Sequence, residues 1–440
     1  MKFVELTPDE YHQYINHHFK QYTQSIEHYQ ARKEKGLHVA LLGVKDDNDN
    51  IVAAGLFTAA PLLKYFNYVY SHRGPVLDYS NTTLVEFYFN ELKKYFKKRR
   101  TIFMLIDPYV TRHIRDFKGN IVEDFNISPL IETFNTLQYQ HQGFSTGYSE
   151  LSQARWLAIL DLKDKAPSSI LKGMEYNTAH SIKKAMQMGV KVKTLSVNEM
   201  DAFYALYQKA EIKHGFSLFT KSYLEQFVRN YPEITTIQLA YIHLNEHIDI
   251  LKTKAHDVDE QIKKQLQNQT HPLSKKKQNK LKEQQIIYDK LQENITVANQ
   301  LRSKHGNTLH LAAAIFAETK DEMVYLFSGS DPEFNKFMGS YVLQWHMIQH
   351  AKQQHIDRYN FYGITGDFSP KAEDYGVLQF KKGFGGYIEE LVETLYVSLI
   401  HFFIVSINLK INKNKPPYHV KSDKVAFHFG YFIKIRYISQ

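Results

Sequence analysis

The sequence predicts a mixed α/β (α+β) protein of two similar lobes, with an antiparallel helical coiled-coil hairpin inserted into the second. Three observations carry this. An order of helices, a three-strand meander, a helix and a strand is legible over the first 107 residues, and it returns more loosely between 155 and 362. The segment 246–307 has no glycine before Gly306 and spaces its apolar residues by three and four. The chain has 440 residues, enough for two or three domains at about 100–200 residues each.

The first lobe spans 1–150. Thr7 is placed to cap a helix, Pro8 suits its first turn, and Glu10 completes a capping box. A second helix over 24–35 stops at Gly36. Strands follow at 38–44 and 51–60, joined by the polar turn 46–50, and a third strand at 65–70 leads into Arg73-Gly74-Pro75. An amphipathic helix at 83–98 and a buried strand at 101–107 complete the set. This order resembles the first half of the GCN5-type acetyltransferase (GNAT) fold. The second lobe, 151–245 and 308–393, reads as a strand at 155–162, helices at 168–188, 198–213 and 220–230, strands at 234–244, 308–317 and 322–328, a helix at 335–354 and a strand at 358–362. In the hairpin, Ile248, Leu251, Ala255, Val258 and Ile262 face Leu281, Gln284, Tyr288, Leu291, Ile295 and Ala298, with the tip near Pro272 and Ser274.

The net charge is +9, which favours anionic partners. It is unevenly spread. The hairpin has 12 Lys/Arg against 8 Asp/Glu, and the tail 394–440 has 7 against 1, so the remaining body is close to neutral. Any nucleic-acid contact therefore relies on local patches or on the hairpin. There is no cysteine, which excludes disulfides, thiol chemistry and cysteine metal sites. The N-terminus has no long apolar run, which argues for the cytoplasm. The tail is apolar from 395 to 407, short of the ~20 residues that span a bilayer. It reads as an atypical extension, and a cut after Glu393 is expected to leave the rest of the protein working.

The densest motif lies at 357–384. Tyr359-Asn360-Phe361-Tyr362 has the composition of a short strand, Gly363 and Gly366 allow a turn, and Phe380-Lys381-Lys382-Gly383 follows. A lysine beside such a strand end can offer a point charge to an anion. The order YNFYG-x-x-G-x-F, EDYGV, FKKG resembles the FemA/FemB/FemX family of peptidoglycan cross-bridge aminoacyltransferases. Upstream matches are YTQSIEHY at 22–29, SHRGPVLDY at 71–79, LIDPY at 105–109 and GSY at 339–341. The resemblance covers about residues 1–393.

It implies transfer of glycine or serine from aminoacyl-tRNA to the peptide side chain of a lipid-linked peptidoglycan precursor, at the inner membrane face. No cofactor or metal is called for, and pairing with a second copy or a related transferase fits the same reading. Lys381 matches the lysine at the acyl end of the tRNA, with Phe380 and Phe361 beside it, and Lys382 is a second candidate. Asp107, at a strand end, is placed to accept the amine's proton. Arg32, Tyr223, Tyr325 and Tyr362 match positions that hold the precursor's phosphate and peptide.

The chain departs from the family pattern in two places. Phe219 stands where relatives have a basic residue, and Thr178-Ala179-His180-Ser181 replaces a basic helix start. Two other readings compete: a non-catalytic paralogue that binds precursor or partner transferases, and a CoA-dependent N-acyltransferase, for which the pyrophosphate loop of GNAT enzymes is missing.

Overall fold

Apolar runs collect into two sheets in the computed structural model, which describes residues 1–62, 65–148, 152–214, 219–267 and 274–400, with backbone alone for 210–214. The first sheet has eight strands. Its path runs Lys2–Glu5, His38–Lys45, Ile51–Leu62, Phe66–Ser71, Thr101–Ile106, Leu395–Ser398 and Gln140–His141, with Val76–Leu77 paired to the third of these. The second has nine, in the order Val190–Leu195, Thr235–His243, Thr308–Glu318, Met323–Ser330, Arg358–Ile364, Trp156–Asp161, Tyr387–Leu391, Thr111–Arg115 and Ile121–Asp124.

Each sheet contains one parallel pair: Phe66–Ser71 with Thr101–Ile106, and Met323–Ser330 with Arg358–Ile364. A parallel pair needs a crossover, and each crossover holds a helix. Thr82–Lys97 buries Leu84, Val85, Tyr88, Phe89, Leu92 and Phe96 on one face. Gly339–Gln353 is buried on nearly all sides, with Val342, Leu343, Gln344, Trp345, Met347, Ile348 and Ala351 inside. The expected mixed α/β class is thus observed, with the two lobes repeating one strand–helix–strand unit.

Local signals act as read. Thr7 and Glu10 form the capping box of helix Pro8–Ile15. The hairpin consists of helices Leu244–Gln267 and Lys275–His305. Ile248, Leu251 and Ala298 are buried in its seam with Leu291 and Ile295 packed against them. Gln284 is buried there too, bonded to Gln261 at 2.9 Å and Gln265 at 2.8 Å, so a polar layer interrupts the apolar seam. The tip residue Pro272 lies outside the described residues.

The structure also departs from the reading. The helix expected over 168–188 is two, Pro167–Gly173 and Tyr176–Gln187, because Met174 and Glu175 are extended. The strands at 111–124, assigned by sequence to the first lobe, pair through His113 and Ile114 with Glu390 and Glu389 of the second sheet. Leu395–Ser398, assigned to the tail, lies inside the first sheet, bonded to Thr101–Ile106 on one side and to Gln140–His141 on the other. Leu395, Val397 and Leu399 are buried in that core. The start of the tail is therefore part of the first sheet, against the boundary read after Glu393, and a cut there removes one of the sheet's strands. Residues 401–440 lie outside the described residues.

Candidate active site

The chain passes between the two sheets four times: from Ile106 to Thr111, from Asp124 to Gln140, from His141 to Trp156, and from Leu391 to Leu395. Asp107 and Glu393 stand at the first and the last of these crossings. Asp107 is 2% exposed. It pairs with the Arg73 guanidinium at 3.4 Å and accepts a bond from the Tyr70 hydroxyl at 3.4 Å. Burial pushes its carboxyl up to about 6, opposed by Arg73 and by the Gln153 backbone N–H, and reinforced by the like charge of Glu393. Arg73 is itself buried, donates to the Ala154 carbonyl, and lies over the Tyr109 ring at 5.6 Å.

The second lobe contributes its own equivalent strand end. Tyr362 has φ +66°, a left-handed conformation uncommon for a residue with a side chain. The Asn360 side chain holds it there by accepting from the Tyr362 N–H at 2.8 Å. The Tyr362 hydroxyl donates to Gln153 at 2.8 Å, and the ring is within electrostatic reach of both Arg73 and Asp107. Its carbonyl turns the other way, toward Lys381.

Lys381 sits in the last turn of helix Tyr375–Gly383 and is 4% exposed. Its Nζ donates to the Gly363 carbonyl at 2.6 Å and to the Tyr362 carbonyl at 3.2 Å. Burial brings the amine down from its usual range to about 7, against the opposing charge of Asp374. Its neighbour Lys382 points elsewhere and pairs with Glu175 at 3.2 Å. The two lysines, interchangeable on sequence, are thus separated by the helix they share.

Arg32 lies on helix Ile26–Glu34. Its Nε–H donates to His28 Nε2 at 3.0 Å, which leaves the His28 proton on Nδ1, 2.9 Å from the Tyr231 hydroxyl. Burial, followed by the charge of Arg32, pushes both His28 and His72 well below the usual range and keeps them neutral. Tyr22, Tyr223 and Tyr231, each held up by burial, all feel the Arg32 charge, and Tyr22 also feels Tyr362. Arg32 therefore stands within electrostatic reach of three tyrosines, one of which, Tyr22, also senses Tyr362 of the strand-end cluster. Tyr223 is 39% exposed and stacks on Phe219 at 4.5 Å, so Phe219 extends an aromatic surface.

Tyr325 is placed apart from this group. It packs on Phe316 at 5.4 Å within the second-lobe core, within electrostatic reach of Gln344, because its strand turns it toward the crossover helix. Phe361 and Phe380 both pack on Phe384 at 5.2 Å and support the site from the core. Thr178 is buried against Gly383, where a Cβ would approach its hydroxyl to 2.1 Å. His180 is exposed and stacks on Tyr176 at 5.8 Å.

The FemAB family model matches residues 6–404. The chain belongs to the FemAB family. It is 37% identical over 398 residues to the aminoacyltransferase FemB of Staphylococcus epidermidis, covering 90% of this chain and 94% of that protein. It is 36% identical over 394 residues to the aminoacyltransferase FemA of Staphylococcus aureus, covering 89% and 94%. The crystal structure of FemX shares the fold, with a TM-score of 0.74 at 21% identity over 90% of this chain and 97% of that one.

Sequence reasoning about this FemAB chain passed over Arg73, Tyr22, His28 and Gln153. Three of them lie in the quoted motifs: Arg73 in SHRGPVLDY, and Tyr22 and His28 in YTQSIEHY. The signal was present, but residue type alone did not say that Arg73 would be buried on Asp107. Gln153 had no signal at all.

Proposed function

We propose that this FemAB protein is an aminoacyltransferase that moves glycine or serine from charged tRNA to the amino group of a lipid-linked peptidoglycan precursor, building the interpeptide bridge. The observation that carries the reading is the buried Lys381 amine at the junction of the lobes, next to Tyr362, whose ring reaches the Asp107–Arg73 pair.

The acceptor amine attacks the ester carbonyl of the aminoacyl group. A C–N bond forms, the C–O bond to the ribose breaks, and the proton lost by the amine balances the one gained by the ribose oxygen. Asp107, with its carboxyl near 6, is largely ionised at neutral pH and can take the amine's proton. The Lys381 ammonium stabilises the developing oxyanion or the leaving ribose oxygen, and its burial strengthens that interaction because little water screens it. Arg32 holds a precursor phosphate, for which its planar fork of donors is suited. Tyr22 and Tyr223 line the path from that phosphate to Tyr362.

On this reading the protein works in the cytoplasm, against the membrane surface that holds its acceptor. Among the described residues no helix is long and apolar enough to cross a membrane. The test is to offer the purified protein lipid-linked precursor together with glycyl-tRNA, seryl-tRNA or an acyl-CoA, and to weigh the product. Amide product from a charged tRNA supports the proposal. Product only from the acyl-CoA, or none from any donor, favours the two competing readings in turn.

A further inference from the structure

The motif Glu373-Asp374-Tyr375-Gly376-Val377 has no role in the chemistry above, yet its aspartate is buried. Asp374 immediately precedes helix Tyr375–Gly383. Its Oδ1 accepts from the Thr365 hydroxyl at 2.6 Å, and its Oδ2 accepts from the Thr365 backbone N–H at 2.8 Å. Oδ2 is also 3.4 Å from the Tyr148 hydroxyl, which in turn lies 3.3 Å from the Gly363 carbonyl. The carboxylate thus clamps the end of strand Arg358–Ile364 just past the two carbonyls that receive Lys381.

Asp374 and Lys381 are seven residues apart, about two helical turns, and so lie on one side of their helix. One end of that side holds the strand end through Thr365, and the other reaches the same strand end through Lys381. The left-handed backbone of Tyr362, which aims its carbonyl at the amine, is one of the two points where Lys381 attaches, three residues before Thr365. Backbone in such a conformation persists where its surroundings over-determine it.

We propose that Asp374 is the positioning residue for Lys381: it fixes the strand end that aims the lysine and places a negative charge on the side of the helix that carries the amine. The inference rests on the role given to Lys381. The groups facing the amine are the Tyr362 and Gly363 carbonyls from the strand, the Tyr148 hydroxyl from the preceding loop, and Asp374 from the helix start. Among these Asp374 alone is charged, and its charge opposes the effect of burial on the lysine.

The experiment is single-turnover transfer from glycyl-tRNA as a function of pH, using the full chain and its Asp374→Asn, Asp374→Glu, Thr365→Val and Lys381→Met variants. In the parent, transfer falls as pH rises through about 7, where the buried ammonium loses its proton. Asp374→Asn moves that alkaline limb down by about one pH unit, so transfer at pH 8 falls about tenfold while transfer at pH 6 stays within about threefold. Asp374→Glu restores the limb. Thr365→Val keeps the charge, so it lowers transfer without moving the limb. NMR titration of the lysine-labelled protein reads the Lys381 amine whether or not a variant turns over.

An unmoved limb in folded Asp374→Asn, or an equal loss at every pH, would overturn the proposal, as would an unmoved Lys381 titration. Full transfer by Lys381→Met would instead remove the reading on which it rests.

Discussion

Lys381→Met exchanges a buried amine for an apolar side chain of similar length, and the structure gives the expected stability change a sign and a size. Burial lowers the amine from the unfolded value of 10.5 to about 7, a shift of about 3.5 units. At about 1.36 kcal/mol per unit, a protonated Lys381 costs the fold on the order of 5 kcal/mol. The folded pKa is the lower one, so between about pH 7 and 10.5 the unfolded chain binds more protons and stability rises with pH. The methionine removes this burden, but it strips a donor from the Tyr362 and Gly363 carbonyls, at roughly 1–3 kcal/mol each. Gly363 retains the Tyr148 hydroxyl, which reduces its share.

Below pH 7 the variant should therefore be more stable than the parent by about 2 kcal/mol, while transferring nothing. At pH 10 the parent's amine is neutral and keeps its hydrogen bonds, so the order should reverse. Urea unfolding of both proteins from pH 6 to 10 tests this. A stability difference that does not change with pH would refute the claim that Lys381 is buried near neutrality.

Other expectations follow from named contacts. Arg32→Ala should raise the KM for precursor about 10- to 100-fold, the loss of a charge-assisted phosphate contact, with little change in kcat; an unchanged KM in steady-state assays would remove Arg32 from the acceptor site. Truncation after Glu393 deletes buried Leu395, Val397 and Leu399 and should cost about 6 kcal/mol relative to truncation after Ile400; equal melting of the two fragments would deny the strand its place. Removing the distal half of the hairpin should flatten the salt dependence of tRNA binding, because fewer phosphate contacts release fewer counterions; an unchanged slope would leave the hairpin without a part in tRNA binding.

Much of the architecture was legible because its causes are local. The capping box at Thr7 and Glu10, the heptad-like seam of the hairpin and the amphipathic crossover helix each announce themselves within a few residues. The strands at 111–115 and 395–398 did not, since what defines them is a partner more than 200 residues away. The site shows the same division. The YNFYG and FKKG motifs located the strand end and its lysine. Which lysine is buried, and that Tyr362 uses its carbonyl and hydroxyl on opposite sides, depends on helix phase and on a left-handed backbone. Tyr325 illustrates the converse: a tyrosine in a strand has two possible faces, and this one faces the crossover helix.

The central claim is that an aminoacyl group passes from tRNA to the precursor at Lys381. The most direct measurement is a quenched single-turnover reaction of labelled glycyl-tRNA and seryl-tRNA, each with lipid-linked precursor, on the parent and on Lys381→Met side by side. The account predicts that label from one of the two donors appears in the precursor peptide with the parent and stays on the tRNA with the variant. Equal labelling by both proteins, or release of free amino acid with none in the precursor, would contradict it.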